Sequence, residues 1–332
     1  MSRILDQFRA SPGPLFRLRA PAPWRTRFPV RLPVVSLALV VCLAPACRSG
    51  AGSTGARIER DGLGRRVAVP RRPVRIVSLA PSVTASLLAL GASERLVGVS
   101  DFCELPPGTT SIARVGGILN PSLETIRGLR PDLLIATTSG NDPSLARQAE
   151  TLGLPLYTID TPDVERVILA LQDLARLLGE EKQGSIVVGG LRARLESVRS
   201  RVAGRRPPRL LFIVWGDPLV VPGRSSFLTD ALARAGGDSV TADAPAAWPA
   251  FEVESAIARA PEVILTTPQN RGVFDRLRRD AAWGKVPAVL SGRLLIVSEA
   301  IEQPGPGVVT GIEEVARELH PDAFGAEAAE RP

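Results

Sequence analysis

Apolar residues along this chain fall into short continuous runs, and segments of helical periodicity separate them. Short apolar runs rich in Ile, Leu and Val are typical of parallel strands that are covered on both faces. Their alternation with helical segments predicts an α/β fold with helices on both sides of each sheet. The predicted strands of the first half are 76–79, 96–100, 133–138 and 156–159, and those of the second half are 210–215, 263–267 and 294–298.

One stretch of this pattern occurs twice. Glu124 opens a helical run that stops before Pro131, and an acidic residue and an apolar strand follow at once. Glu254 opens a second such run before Pro261, with the same features after it. Because proline cannot continue a helix, each copy predicts a helix, a sharp stop and a central strand. A repeat at about 130 residues is too long for a solenoid and predicts two similar lobes.

Between the two halves, residues 162–204 are helical almost throughout. The segment 164–178 is expected to close the first lobe, and 180–202 predicts one helix of about 35 Å. A helix of that length would bridge the lobes. Glycines at 184, 189 and 190 leave a kink in it open. The predicted fold is therefore two Rossmann-like lobes with parallel central sheets, joined by a single long helix.

These patterns divide the chain into six segments. Within the first lobe, Ser82 is expected to cap a helix that stops at Gly91. Residues beyond Pro321 are expected to fray. The segments are a signal peptide at 1–46, a tether and hairpin at 47–72, the N-terminal lobe at 73–178, the connecting helix at 179–204, the C-terminal lobe at 205–320 and a tail at 321–332.

The net charge of +7 does not indicate nucleic-acid binding. Seven arginines and one acidic residue lie within 1–46, so the rest of the chain has 34 basic and 33 acidic residues. No basic patch with interleaved aromatic residues remains to suggest DNA or RNA as a partner.

The N-terminal segment predicts export. Arginines precede the apolar run LPVVSLALVVCLA, and Ala44-Pro45-Ala46 supplies small residues before Cys47. Two processing routes stay open, namely lipid attachment to Cys47, as in bacterial lipoproteins, and simple cleavage after Ala46. Both place the protein in the periplasm or at the cell surface, and the first also anchors it in a membrane. Cys103 is then left alone, so no disulfide framework is predicted if Cys47 carries a lipid.

Several segments resemble the periplasmic cobalamin (vitamin B12) substrate-binding proteins of ABC importers. They are RIVSLAPSVTASLLALGA, LVGVSDFCELPP, VGGILNPSLETIRGLRPDLLIATTSGN and WPAFEVESAIARAPEVIL. The resemblance covers residues 57–320. It implies a class III binding protein, in which two lobes joined by a single rigid helix grip a ligand with little hinge motion. It also implies a permease and ATPase complex as the partner, with the binding protein itself a monomer.

The resemblance also implies roles for individual residues. Glu124 and Glu254 match the glutamates that dock onto permease arginines, although a glutamate in a first helical turn also simply complements the helix dipole. The matching ligand positions are Ser82, Phe102, Ile118, Thr137, Trp215, Trp248, Glu299 and Gln303. Any of the three aromatic residues among them could instead belong to the core.

Some of these positions depart from the family pattern. Ile118 and Thr137 stand where aromatic residues are expected, and Glu299 and Gln303 lack the expected arginine. These departures concern the identity of the ligand. The resemblance implies cobalamin or a related corrinoid, with haem and iron-siderophore complexes as alternatives in the same fold. The ligand is cargo, and no resident cofactor is expected.

An enzyme is not expected. His320 is the only histidine, so neither a Ser-His-Asp arrangement nor a histidine-based metal site can form. Its place near the end of the last helix predicts a solvated residue. An interaction-only lipoprotein stays as a further alternative, and it would bind no chelate.

Overall fold

The computed structural model describes residues 55–109 and 111–325. The helices are α1 Pro81–Ala89, α2 Leu123–Gly128, α3 Leu145–Thr151, α4 Val164–Leu178, α5 Glu181–Val202, α6 Phe227–Arg234, α7 Val253–Ala258, α8 Val273–Arg279, α9 Pro287–Leu290, α10 Val308–Leu319 and α11 Pro321–Phe324. The strands are β1 Ala56–Arg60, β2 Arg66–Pro70, β3 Ile76–Ser78, β4 Leu96–Val99, β5 Ala113–Arg114, β6 Leu133–Thr137, β7 Leu156–Ile159, β8 Arg209–Phe212, β9 Trp215–Gly216, β10 Leu219–Val220, β11 Asp238–Ser239, β12 Val263–Thr266 and β13 Leu294–Ile296.

The first lobe is built on a parallel sheet in the order β5-β4-β3-β6-β7. The residues of β3 and β6 are all buried, because helices cover both faces of the sheet. The antiparallel hairpin β1–β2 lies beside β7. Asp61 in its turn is buried and accepts hydrogen bonds from the Arg65 guanidinium, which ties the turn to Thr158.

The second lobe repeats this plan with a smaller parallel sheet in the order β11-β8-β12-β13. Its first strand ends at Phe212, earlier than the predicted 210–215. Trp215 instead begins the short antiparallel pair β9–β10, which brings the tryptophan out of the central sheet. The predicted fold class, two α/β lobes with parallel central sheets, is confirmed.

A helical hairpin made by α4 and α5 joins the lobes. The first half of α4 packs in the core of the second lobe through Val164 and Ile168, and its last turns pack in the first lobe through Leu174 and Leu178. The sequence pattern placed α4 in the first lobe alone. After the left-handed turn at Gly179, α5 runs back, continuous over 22 residues. The chain therefore crosses between the lobes three times, and two packed helices bridge them.

Contacts along α5 hold it against α4 and against the second lobe. Gly184 lies so close to α4 that a Cβ placed on it would stand 2.3 Å from the Cβ of Ala175. Farther along, the Arg194 guanidinium donates two hydrogen bonds to the Glu313 carboxylate on α10, at 2.8 and 2.7 Å. Bidentate pairing of this kind fixes the orientation of α5 relative to α10 as well as the distance between them.

Three local predictions were wrong. Helix α1 begins at Pro81 with Ala80 as its N-cap, so Ser82 lies inside the first turn. Proline suits the first helical position because its missing N–H has no partner there in any helix. His320 is buried and its Nε2 lies 3.0 Å from the carbonyl oxygen of Gly236. The tail does not fray at Pro321, because α11 buries Phe324 against the second-lobe core.

Candidate functional site

The carboxyl ends of the parallel strands in each lobe define the candidate ligand site. In open α/β sheets, ligands bind beyond the carboxyl ends of the strands. The two lobes meet at this edge, where the loop after β13 reaches the start of α1. A Cβ placed on Gly305 would lie 3.1 Å from the carbonyl oxygen of Ser82. Glycine at this position lets one backbone approach the other closely.

The three aromatic residues predicted for the site keep accessible surface. Phe102 and Trp215 lie shortly after central strands, and Trp248 lies in the loop between β11 and α7. Phe102 follows β4 and is half-buried, and Trp215 is half-buried in β9, where its indole N–H donates to the carbonyl of Asp217 at 2.8 Å. Trp248 is 36% exposed, and its ring packs edge-to-face on Phe227 with centroids 5.8 Å apart. Accessible, oriented rings of this kind are what a flat apolar ligand requires.

The loop that carries Phe102 is held by its neighbours in the sheet. Arg114, at the end of β5, donates to the carbonyl oxygens of Ser100 and Cys103 at 3.0 and 2.7 Å. The Asp101 carboxylate accepts the backbone N–H of Gly116. Phe102 therefore projects from a turn that is fixed on both sides.

Cys103 belongs to the interior behind this loop. Thr84 donates to its sulfur at 3.1 Å, and the Ser100 hydroxyl lies 3.3 Å from it. Burial raises the pKa of the Cys103 thiol, so it stays protonated.

Three other predicted ligand residues are almost fully buried. Ser82, Ile118 and Thr137 are 4%, 8% and 2% exposed. The Thr137 hydroxyl accepts the N–H of Ser139, so it is already used inside the lobe. These residues are buried close to the carboxyl ends of the first-lobe strands. Their predicted contacts with a ligand stay predictions.

A buried asparagine links backbone groups near these strand ends by hydrogen bonds. The Asn141 side chain accepts the N–H of Thr137 at 2.9 Å and donates to the carbonyls of Leu79 and Ile118 at 2.9 and 2.8 Å. It therefore joins the end of β3, the end of β6 and the loop between β5 and α2. The sequence pattern alone assigns no role to Asn141. Its place four residues after the end of β6 was the available signal.

The predicted polar residues of the second lobe lie in a short segment after β13. Glu299 opens the 3-10 turn Glu299–Glu302, and Gln303 follows it, and both are half-buried. Glu302, which sequence analysis passed over, accepts a hydrogen bond from the Thr267 hydroxyl at 3.1 Å. Burial and the nearby Glu299 raise the pKa of the Glu302 carboxyl to about 7.

The two predicted docking glutamates occupy equivalent places. Glu124 and Glu254 are each the second residue of a six-residue helix, α2 or α7, and both are exposed. Both helices are followed by a residue with positive φ just before the proline, 47° at Arg130 and 45° at Ala260. The repeat seen in the sequence is thus a repeat of backbone geometry.

Each of these helices is held by an arginine at the beginning of a central strand of its lobe: Arg75 directly precedes β3, and Arg209 is the first residue of β8. Arg75 donates to the carbonyls of Leu129 and Arg130 at the end of α2, at 2.6 and 3.2 Å. Arg209 donates to the carbonyl of Arg259 at the end of α7, at 2.6 Å. Leu129 and Arg259 are the C-cap residues of the two helices. An arginine there satisfies a carbonyl that the helix leaves open and complements its dipole.

The acidic residue after each proline completes the clamp. Asp132 accepts the backbone N–H groups of Val74 and Arg75, and Glu262 accepts that of Arg209. The sequence repeat includes both acids but does not reveal the role of Arg75 and Arg209. Their signal was a basic residue at the beginning of a central strand of each lobe.

Cys47, the predicted lipid attachment residue, and the segment 1–46 lie outside the described residues. No helix in the described part of the chain has the length and apolar character needed to cross a membrane.

The fold and site define a two-lobed solute-binding protein, and comparison with known proteins agrees. A model of the periplasmic binding protein family matches residues 76–300. The vitamin B12-binding protein of Vibrio cholerae serotype O1 is 25% identical over 255 residues, which cover 76% of this chain and 91% of that protein. This chain belongs to the periplasmic binding protein family.

Two solved structures share the fold. The periplasmic vitamin B12 binding protein BtuF of Vibrio cholerae has a TM-score of 0.68 at 24% identity, with 76% of this chain and 98% of that chain covered. The periplasmic heme-binding protein RhuT from Roseiflexus sp. RS-1, in apo form, has a TM-score of 0.66 at 25% identity, with 75% and 98% covered.

Proposed function

We propose that this protein is the substrate-binding component of an ABC importer, which captures cobalamin or a related corrinoid between its lobes and delivers it to the membrane permease. No bond is made or broken in this role. The observation that carries the proposal is the set of accessible aromatic rings, Phe102 in the first lobe and Trp215 and Trp248 in the second, in a chain similar to vitamin B12-binding proteins.

The chemistry of these rings fits a corrinoid. Each ring offers an apolar face, and burial of a large aromatic side chain contributes about 2–3 kcal/mol to binding. A fold bridged by two packed helices is preformed, so little ordering free energy is lost when the ligand enters. Affinity then comes from the rings, and selectivity from the few polar groups after β13.

The direct test is isothermal titration of the mature protein with cyanocobalamin, with hemin and with a ferric siderophore. We expect saturable binding of cyanocobalamin with a micromolar or tighter Kd. Binding of hemin or the siderophore in place of cyanocobalamin would agree with the importer role but would show that the transported ligand is not a corrinoid. An absence of binding to all three would favour an interaction-only protein.

Variants of the tryptophans show where the ligand lies. Trp215→Ala and Trp248→Ala should each weaken cyanocobalamin binding by about 20- to 100-fold, because each removes an aromatic contact. Leu290→Ala is the control, since Leu290 is an exposed apolar residue of the same lobe, 73% exposed and on α9. Equal Kd values for all three variants would place the ligand elsewhere.

Haem is the second candidate cargo. The similarity to the heme-binding protein RhuT supports it. Tight binding of hemin with weak binding of cyanocobalamin would select this alternative.

Glu124 and Glu254 are proposed to dock the loaded protein onto permease arginines. Their equivalent positions on clamped helices suit a partner built of two similar halves, since carboxylate–guanidinium pairs fix register. In proteoliposomes that contain a corrinoid permease–ATPase complex, Glu124→Arg and Glu254→Arg should each lower uptake at least 10-fold and leave the Kd for cyanocobalamin unchanged.

Glu252→Arg is the matched control for docking. Glu252 is exposed and lies two residues before Glu254, as the N-cap of α7. We expect its reversal to change uptake less than 2-fold. If reversal of Glu252 lowers uptake as much as reversal of Glu254, general surface charge is responsible and specific docking is wrong.

Export to the periplasm and lipid attachment at Cys47 are also part of the proposal. Mass spectrometry of the mature N-terminus separates the two routes: a diacylglyceryl group on Cys47 indicates a lipoprotein, and an unmodified N-terminal Cys47 indicates simple cleavage after Ala46.

A further inference from the structure

An exposed cluster of arginines lies at the end of the first lobe where the chain enters the fold. This basic patch consists of Arg71, Arg72, Arg75 and Arg130, all of which are exposed. Arg71 and Arg72 directly follow β2, and Arg75 directly precedes β3. The Arg75 guanidinium donates to the carbonyl oxygens of Leu129 and Arg130 at 2.6 and 3.2 Å, so the two chain segments that carry the patch meet there.

The charge of the basic patch is not balanced within the protein. Asp132 lies beside the patch, and its carboxylate accepts the backbone N–H groups of Val74 and Arg75 at 2.7 and 3.0 Å. None of the four arginines forms an ion pair within residues 55–109 and 111–325. Even with Asp132 counted, positive charge is in excess at this end of the lobe. The chain beyond residue 46, by contrast, is nearly neutral, with 34 basic and 33 acidic residues.

The second lobe has the same construction without the excess of charge. There Glu262 takes the place of Asp132 and accepts the backbone N–H of Arg209. The Glu262 carboxylate also forms an ion pair with Arg206 at 2.8 Å. Because the repeated construction neutralises its arginine in one lobe, the unpaired arginines are a property of the first lobe and not of the fold.

The N-terminal tether meets the fold at the basic patch. Ala56 pairs with Pro70 across the hairpin, so the first described residues lie beside the segment that carries Arg71. A Cβ placed on Gly55 would lie 3.5 Å from the Arg71 Nε. The chain from Cys47 to Gly55 spans at most about 28 Å when fully extended. A lipid on Cys47 would therefore hold the basic patch within reach of the membrane surface.

We propose that the basic patch binds the anionic phospholipid surface of the membrane in which Cys47 is anchored, and thereby sets the orientation of the protein on that membrane. Guanidinium groups pair with phosphate in a bidentate geometry, and exposed arginines are attracted to an anionic surface. Val74, which is 55% exposed between Arg72 and Arg75, offers an apolar contact at the interface. Which membrane is bound depends on the proposed lipid attachment, whereas the charge of the patch does not.

The strand directions give the orientation. Arg75 directly precedes β3 and Asp132 directly precedes β6, so the basic patch lies at the amino ends of the first-lobe strands. The candidate ligand site lies at their carboxyl ends. Helix α2 begins at that opposite edge, where the N–H of Ser122 donates to the carbonyl of Val115 after β5, and it ends at the patch. A molecule held by the patch therefore keeps its ligand site and Glu124 turned away from the membrane, and leaves the surface to meet the permease.

Sedimentation with sucrose-loaded vesicles measures this binding. The mature chain carries Cys47→Ser, so that no lipid is attached and the basic patch acts alone. We expect binding to vesicles of equal parts phosphatidylglycerol and phosphatidylcholine in low salt, and about 10-fold weaker binding in high salt, which screens exposed charges. Equal binding to vesicles of pure phosphatidylcholine would overturn the proposal.

Variants locate the binding surface. Arg71→Gln combined with Arg72→Gln should weaken binding to the anionic vesicles about 25-fold, because each arginine near such a surface contributes about 5-fold. Arg224→Gln combined with Arg271→Gln is the matched control, since it removes the same charge from two exposed loop positions of the second lobe. The control should weaken binding less than 3-fold. An equal loss in both double variants would show that net charge is responsible and that the patch is wrong. The proposed function stands in either case, because no ligand takes part.

A fluorescent label tests the orientation without any change of charge. In the Cys47→Ser chain the remaining thiol is that of Cys103, which is buried and does not compete for the label. An environment-sensitive fluorophore on Val74→Cys should shift to shorter wavelength when anionic vesicles are added. The same fluorophore on Val253→Cys should not shift, since Val253 is 37% exposed and lies beside Glu254 at the docking end. Equal shifts at the two positions, or a shift at Val253→Cys alone, would overturn the orientation.

Discussion

Two buried polar side chains near the strand ends differ in how fully they are satisfied. Asn141 uses its oxygen and its amide group on three backbone partners. Glu302 uses one oxygen and keeps the other free. A satisfied buried group rigidifies the structure around it, whereas an unsatisfied one costs stability and is found at functional sites.

The stability of the protein should depend on pH through Glu302. The folded state raises the pKa of this carboxyl from 4.5 to about 7, so between these values the folded chain holds a proton that the unfolded chain has lost. Stability from this group is therefore fully present below pH 4.5 and falls as the pH rises to about 7, by up to about 3 kcal/mol. Urea unfolding of Glu302→Gln should show a smaller fall over this window than the unmodified protein does, and an equal fall would contradict the assignment.

Asn141→Asp should destabilise the first lobe by about 2–4 kcal/mol. The change replaces a donor to two carbonyl oxygens by an acceptor and buries a charge beside them. Asn270→Asp is the matched comparison, because Asn270 donates to the carbonyl of Val214 alone. Urea unfolding should show the smaller loss at Asn270, and a reversed order would contradict the view of Asn141 as an organising residue.

At the scale of residues, several site residues could be predicted from the sequence, but their burial and hydrogen bonds could not. It identified the accessible aromatic residues Phe102, Trp215 and Trp248 through the family resemblance. It could not foresee that Ser82 and Thr137 are buried, since exposure depends on the loops folded over the strand ends. Nor could it identify Glu302, because an orphaned oxygen is a property of the packed structure.

At the scale of elements, the two docking helices share one construction. Each is six residues long and is followed, directly after its C-cap, by a residue with positive φ. Each is held by an arginine that donates to the C-cap carbonyl and by an acid after the proline. The sequence repeat predicted the helix, the stop and the strand. It did not predict the left-handed residue, because the arginine or alanine found there has no preference for that conformation.

Relief of this backbone strain should stabilise the protein. Ala260→Gly removes the Cβ penalty at φ 45° and should raise the free energy of unfolding by about 0.5–1 kcal/mol. Ala258→Gly lies two residues earlier, inside α7, and should lower it by about 0.5–1 kcal/mol. Thermal unfolding measures both, and a loss of stability in Ala260→Gly would show that the turn tolerates alanine without strain.

At the scale of the molecule, the helical hairpin of α4 and α5 determines how the lobes are held. The sequence predicted α5 closely, as a helix from 180 to 202, because its length and polarity distinguish it. It placed α4 in one lobe, since a single amphipathic stripe does not tell which core it packs against. In the structure, the apolar residues in the first half of α4 pack in the core of the second lobe, and those in its last turns pack in the core of the first lobe.

Three glycines in α5 allow a test of this hairpin. Gly184→Ala should lower the free energy of unfolding by about 1–2 kcal/mol, because the new methyl group collides with Ala175 on α4. Gly189→Ala and Gly190→Ala meet no atom within 4 Å and should each stabilise by up to about 1 kcal/mol. Urea unfolding measures the three, and a uniform gain would show that α4 and α5 are not tightly packed there.

The triple crossing of the chain also governs the order in which the protein can be completed during synthesis. The first half of α4 emerges before β8 and α6, against which Val164 and Ile168 pack. The last turns of α4, which finish the first-lobe core, belong to the same helix. The N-terminal lobe therefore cannot mature alone while the rest is being made. An apolar helix face stays uncovered until the second lobe arrives, which is the stage at which a chaperone would be needed.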